Sequence, residues 1–267
     1  MKKVGLSAEC TNGNIASLAS QIDHFKSLGI DSVEIPLFET DIICGKKIVS
    51  SELGILINIL DNKDIAKTVH GEMSVNLLDN EYFDDHKEIL KKDIEVSGAI
   101  GATHLVTHFG QTTNTIFDDQ AAYNDLLTRQ NDCYAEMGEY AKRHGVVLAI
   151  ENLFPFTVKN YAPMPSEIGA QVKKLIILTL NVALIFPMPT STVLTAMLTL
   201  LMKLNTWDHL PNIFICMILL GSCSKCGRIW NPKRHPMGLV IYTYLWDGVT
   251  FLLLRCLKVS NFLKILI

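Results

Sequence analysis

For residues 1–174 the sequence predicts an α/β fold, the front five βα units of a (β/α)8 barrel. Three observations carry that reading. Apolar runs of strand length alternate five times with segments of helical period, the pattern of a parallel sheet with helices packed outside it. Each run ends at or near an acidic or imidazole side chain (Glu9, Glu34, His70, His108, Glu151), where a barrel gathers its chemistry at the C-terminal ends of its strands. The first run closes on Ser7-Ala8-Glu9-Cys10, where a dinucleotide-binding sheet would carry a glycine-rich turn, and this turns the choice from a doubly wound sheet to a barrel.

The elements follow in order. Lys3 to Glu9 is a short apolar strand, and Ile15 to Leu28 carries Ile15, Leu18, Ile22, Phe25 and Leu28 at helical spacing before Gly29. Asp31 to Leu37 is the second strand, Ser50 to Leu60 the second helix and Ile65 to His70 the third strand. Tyr82 to Ile100 reads as a long amphipathic helix closed by Gly101, and Thr103 to Phe109 as strand four. Asp118 to His144 is expected to be helical throughout, with His144 a capping cation before Gly145, and Gly145 to Glu151 is strand five.

Composition divides the chain at Lys174. Residues 175–267 hold eight Lys or Arg, Asp208, Asp247 and no Glu, out of 24 basic and 27 acidic residues in all. The first 174 residues therefore keep 16 basic and 25 acidic side chains, about -9 against about +6 for the rest. The overall net charge of -3 offers no basic footprint for nucleic acid. Seven cysteines without a secreted-domain spacing, and an N-terminus without a long apolar leader, make the cytoplasm the expected compartment.

Three segments resemble a known family. Thr68-Val69-His70-Gly71-Glu72 leading to Asn76-Leu77, then Leu105-Val106-Thr107-His108-Phe109-Gly110, then Leu148-Ala149-Ile150-Glu151-Asn152, are similar to strands three, four and five of the xylose-isomerase-like TIM-barrel superfamily. That group holds sugar and sugar-phosphate isomerases and epimerases, together with endonuclease IV-type enzymes. The resemblance implies a divalent metal, Zn, Mn or similar, with Glu151 as ligand and catalytic group. It makes His70 and His108 further ligands or substrate-facing groups. Imidazole and carboxylate together suit such ions, which polarise a carbonyl or acidify a bound water. Glu9 and Glu34 are expected to face substrate, the structural alternative being ion-paired rim residues. The implied partner is a small sugar or sugar phosphate. DNA enters only under the alternative of an abasic-site phosphodiesterase.

Beyond Lys174 the barrel pattern stops, because Leu175 to Leu204 offers no Asp, Glu or His where a sixth strand needs ligands. Its apolar length suits a membrane helix, and a non-catalytic membrane-anchored protein is the third alternative, but Pro187 and Pro189 interrupt it and no membrane partner is expected. Loss of one base in the adenine-rich codons of Lys173-Lys174 gives a different account. Each original codon would then be the third base of one residue and the first two of the next. Ala183 to Pro189 so allows L-D-I-S-H-A, His209 to Gly221 allows K-H-I-H-L-H-D-S-F, and Gly238 to Leu252 allows F-G-D-L-H-I-P-M-G-W-G-D-V-P. These are the family's strand-six, seven and eight patterns, in one frame. The Asp codon across Met217 and Ile218 is GAT whichever synonymous codons are used. Residues 175–267 are therefore expected to be a frameshifted tail without a native fold, and Cys223-Ser224-Lys225-Cys226 an incidental pair. Resequencing the DNA around the codons for Lys173 and Lys174 checks this: an extra adenine restoring all three motifs is expected, and an unchanged reading refutes the frameshift.

Overall fold

The computed structural model describes residues 5–61, 63–153, 155, 157–175, 180–184, 213–217, 240–246 and 249–255. Up to residue 175 the chain alternates strand and helix as its periodicity demands. Strands β1 (Gly5–Ser7) and β2 (Ser32–Pro36) flank α1 (Ser17–Ser27), and a small hairpin of β3 (Ile43–Cys44) and β4 (Lys47–Ile48) precedes α2 (Ser50–Asp61). Then come β5 (Ala66–His70), α3 (Phe83–Ala99), β6 (His104–His108), β7 (Thr112–Thr113), α4 (Asn114–Asp118), α5 (Gln120–Arg143), β8 (Val147–Glu151), β9 (Asn160–Tyr161) and α6 (Pro165–Leu175). Four more strands are described beyond it: β10 (Leu180–Leu184), β11 (Ile213–Met217), β12 (Val240–Trp246) and β13 (Val249–Arg255).

The five expected strands pair in parallel as β1-β2-β5-β6-β8. Their outward faces supply Val33, Ile35, Val69, Leu105, Leu148 and Ile150 to one core, met by Leu18 and Ile22 of α1, Leu56 and Leu60 of α2, Leu90 and Ile94 of α3, and Tyr134, Met137 and Ala141 of α5. All of these side chains are essentially excluded from solvent. The other face carries a separate small cluster, Val106 packed with Ala149. Two apolar faces of one sheet, one clad by helices and one turned inward, are what a barrel requires.

Two local expectations bear on α5. The helix foreseen from Asp118 to His144 is α5, which starts at Gln120 because Asp119 is extended (φ -84, ψ 91) and caps it, its carboxylate accepting from the N–H groups of Ala121 and Ala122 at 3.1 Å; the short α4 before it was not expected. His144 does stand at the C-cap, with Nδ1 3.0 Å from the Tyr140 carbonyl and Gly145 following at φ 72.

The described strands beyond residue 175 extend the sheet. β10 pairs with β8 in parallel through Leu180–Leu148 to Ala183–Glu151, and β11 and β13 continue the ladder. β12 then joins β13 and comes within 8 Å, Cα to Cα, of β1. The reason is general: an edge strand presents unpaired N–H and C=O groups to any apolar extended segment. The β12–β13 pair is antiparallel, separated in sequence by Asp247-Gly248, a residue pair that favours hairpins. A (β/α)8 barrel has no such closing hairpin, so the tail is not barrel-like in its order. Cys223, Cys226 and the stretch 185–212 lie outside the described residues; among the described residues no helix is long and apolar enough to cross a membrane.

The loops at the C-terminal strand ends are clamped to one another. Asn76 donates from Nδ2 to the Gln111 carbonyl at 3.0 Å, while its Oδ1 accepts from the N–H groups of Gln111 and Leu78. Gly110 sits against that amide at φ 98, where a Cβ would lie 2.3 Å from Asn76 Oδ1. Gly110→Ala is expected to destabilise the protein by about 2 kcal/mol or more, from left-handed strain plus the lost clamp, read as a lower urea midpoint. Leu90→Ala, a fully buried truncation, should cost roughly 2–5 kcal/mol in the same measurement.

Candidate metal centre

Register decides which side chains meet. Parallel pairing sets Ser7 opposite Glu34, Glu34 opposite Thr68, His70 opposite Val106 and His108 opposite Glu151. Side chains two residues apart share a face, so Glu34, His70, His108 and Glu151 all project to the inner face, the last two directly above Val106 and Ala149. The strand ends bring together what the sequence separates by more than eighty residues.

The result is compact. Nε2 of His70 and Nε2 of His108 each lie 3.3 Å from Glu151 Oε2, and one donor atom from each of the three residues falls within 4.8 Å of the others. His108 and Glu151 are 2% and 1% exposed, whereas His70 at 14% opens towards solvent. The two imidazoles meet edge to face at 5.2 Å, and Phe38 packs its ring on the other side of His70 at 5.1 Å. His70 Nδ1 is 3.1 Å from the Gly71 carbonyl. When that nitrogen carries the proton and donates it, Nε2 keeps its lone pair for the centre, the orientation seen in metal-ligating histidines.

Two buried polar atoms here, Glu151 Oε2 and His108 Nδ1, have no hydrogen-bond partner. Glu151 Oε2 has two imidazole nitrogens at 3.3 Å without a well-aligned hydrogen bond to either, an arrangement natural beside a cation. The donor set therefore fits a divalent ion: one carboxylate oxygen and two neutral imidazoles can hold it, with further coordination positions left to solvent or substrate.

Electrostatics support the grouping. Burial acts to raise the pKa of Glu151, but the two imidazoles outweigh it and bring it down to about 2. Burial acts to lower that of His70, and Glu151, with Glu34 behind it, pushes it up to about 9. Glu34 is itself pushed up by burial, held back by His70 and raised further by Glu151, so it belongs to the same electrostatic unit. Glu9 does not join it in this way. It is exposed, its backbone is tied to Gln21 on α1, and the charge acting on it is Glu39, which with burial raises its pKa.

Several groups around the centre escaped the sequence reading. Asp93 of α3 is fully buried beneath Gly71, its Oδ2 accepting the Glu72 N–H at 3.1 Å, and a Cβ on Gly71 would stand 2.7 Å from that oxygen. Burial raises the Asp93 pKa well above the usual carboxylate range. Gln130 and Tyr134 of α5 are equally buried and reach the strand-four end. A signal existed: Leu90, Asp93, Ile94 and Ser97 share one helical stripe, as do Gln130, Tyr134 and Met137, so polar residues stand on faces whose period marks them as buried.

The Glu151–imidazole contact makes stability depend on pH in the metal-free chain. The lowered Glu151 pKa gives stability that is present above its ordinary value of 4.5 and lost as pH falls through about 2. The raised His70 pKa gives stability that is present below its ordinary 6.5 and lost as pH rises through about 9. Both describe one contact. The stability difference between the parent and Glu151→Gln in urea, measured with chelator, is therefore expected to peak between pH 4.5 and 6.5 and to shrink on either side. A pH-independent difference contradicts the contact.

Comparison with known proteins agrees with this architecture. The D-tagatose 3-epimerase-like protein superposes with a TM-score of 0.50 at 19% identity, covering 69% of this chain and 65% of that one. The 3-keto-D-glucoside 4-epimerase of E. coli superposes at 0.54 with 13% identity, over 80% and 79% of the two chains. D-psicose 3-epimerase, solved in the presence of D-fructose, does so at 0.53 with 15% identity, over 89% and 78%. At such identities the likeness is one of fold, and the chain spans just under two thirds of the D-tagatose 3-epimerase-like protein. No curated protein matches it in sequence. The family described as xylose isomerase-like TIM barrel matches residues 22–173, more than half the chain, and the protein belongs to that family.

Proposed function

We propose that His70, His108 and Glu151 are ligands of a divalent-metal centre built for isomerising or epimerising a sugar or sugar phosphate, with Glu151 also acting at the reacting carbon and Glu34 facing substrate. The observation that carries this reading is the buried Glu151 Oε2 held 3.3 Å from two imidazole nitrogens, with no well-aligned hydrogen bond to either, at the C-terminal strand ends. The sugar class rests on the neighbours' printed activities and on the acidic character of residues 1–174.

The chemistry follows from the residue types. An ion at this position would polarise a substrate carbonyl and the adjacent hydroxyl, so that the intervening C–H becomes acidic. Burial raises the Glu34 pKa, with His70 acting against it and Glu151 adding to it, and a carboxylate shifted in this direction suits a group that gives or takes a proton. Glu9 follows β1 and is exposed, and in this reading it would meet a substrate hydroxyl.

The chain as it stands offers ligands from three adjacent strands, β5, β6 and β8, and none from the tail positions where the restored frame would put Asp and His. We therefore expect weak metal binding and no turnover. The frame-restored protein is the active form. Titration with Co(II) should give a weak, saturable absorption that Glu151→Gln removes, and sugar turnover should appear only in the frame-restored protein and vanish with Glu151→Gln there. Tight stoichiometric Zn binding by the present chain, lost in Glu151→Gln, overturns the inactive reading. Metal-dependent cleavage of an abasic-site duplex without sugar turnover replaces the sugar reading with that of a phosphodiesterase, which the pairing of strand-three and strand-four histidines would equally serve.

A further inference from the structure

The two histidines of the centre are held by different means. His70 is oriented through its own ring, with Nδ1 set against the Gly71 carbonyl. His108 has no such partner, since its Nδ1 is buried and unbonded. Something else must fix an imidazole that can rotate about two bonds and must present Nε2 to Glu151. The fixation visible around it is on the backbone. Tyr134 Oη donates to the His108 carbonyl at 2.8 Å, and Gln130 Nε2 donates to the carbonyl of the next residue, Phe109. The Phe109 N–H in turn donates to the Glu151 carbonyl at 2.8 Å. Gln130 and Tyr134 are one turn apart on α5 and both completely buried, and the Phe109 and Tyr134 rings lie 6.4 Å apart.

We propose that Gln130 and Tyr134 are positioning residues for the metal centre: together they pin the peptide groups of His108 and Phe109 to α5 and thereby set the His108 imidazole against Glu151. This rests on the reading of His70, His108 and Glu151 as one centre. Burying Gln130 with Oε1 unsatisfied is costly, and the bond its Nε2 donates to the Phe109 carbonyl offsets part of that cost. The same peptide carries both the ligand and the hydrogen bond to the Glu151 backbone, so a shift of it moves two ligands at once. Groups that hold ligands in this manner commonly change metal affinity by about 10–100-fold when removed.

The test has a metal-free and a metal-bound arm, both on the full chain. In the chelated protein, NMR should show a cross-peak between the ring protons of His70 and His108, whose centroids are 5.2 Å apart. It should weaken in Tyr134→Phe and in Gln130→Met, and persist in Tyr123→Phe, the same substitution on the same helix away from the centre. In the second arm, Co(II) affinity should fall by about tenfold in the first two variants and stay unchanged in the third. A cross-peak and affinity that survive Tyr134→Phe and Gln130→Met overturn the positioning role while leaving the centre standing. Equal losses in Tyr123→Phe reduce the effect to general destabilisation and overturn it as well. Absence of the cross-peak in the parent overturns both the centre and this inference.

Discussion

The arrangement at the strand ends depends on one buried negative charge. Glu151 is removed from water almost completely, a placement that costs several kcal/mol for a carboxylate unless opposite or hydrogen-bonding charge surrounds it. Two imidazoles supply that compensation from neighbouring strands, and each can do so only in one sheet register. A one-residue slip between β6 and β8 would turn Glu151 to the helix-clad face, among Leu148 and Ile150, with no partner at all. The charge thus acts as a register lock for the centre of the sheet, in addition to anything it does for a ligand.

Much of the fold was legible in the sequence because it rests on local period. The five strands were found within one or two residues of their ends, as were the helices at Ser17–Ser27, Ser50–Asp61 and Phe83–Ala99. The helix expected from Asp118 is α5, started by the Asp119 cap, whereas α4 before it is five residues long and too short to show a helical period. The pairs β3–β4 and β7–β9, two residues each, are too short to show an alternation. The sheet's extension through β10 was not foreseen, since edge pairing depends on what segment is nearby rather than on any pattern within that segment.

The site was partly legible for a related reason. Polar residues at successive strand ends point to a barrel mouth, and His70, His108 and Glu151 do converge there, with Glu34 coupled to them. Glu9 carries the same sequence signature, yet its backbone is tied to Gln21 and Glu39 is its electrostatic neighbour, a matter of loop path that strand position cannot reveal. Asp93, Gln130 and Tyr134 sit on helices, so attention to strand ends passes over them. Their mark is a polar group on an apolar stripe, visible only once the stripe is traced residue by residue.

Gly71 and Asp93 share a space that holds one of two things. The carboxylate occupies the volume that any side chain at position 71 would need. Position 71 supplies the carbonyl that orients His70 whatever its side chain, since every residue has that oxygen. What restricts it to glycine is therefore Asp93 on the helix behind it, with Leu105 of β6 beside it, and not the histidine. The two positions behave as a single steric compartment divided between a loop and a helix. A larger residue in the loop therefore becomes compatible with the centre only in a chain whose helix carries a smaller residue at 93 and whose Leu105 gives way, so a change at 71 depends on one at 93 but not the reverse.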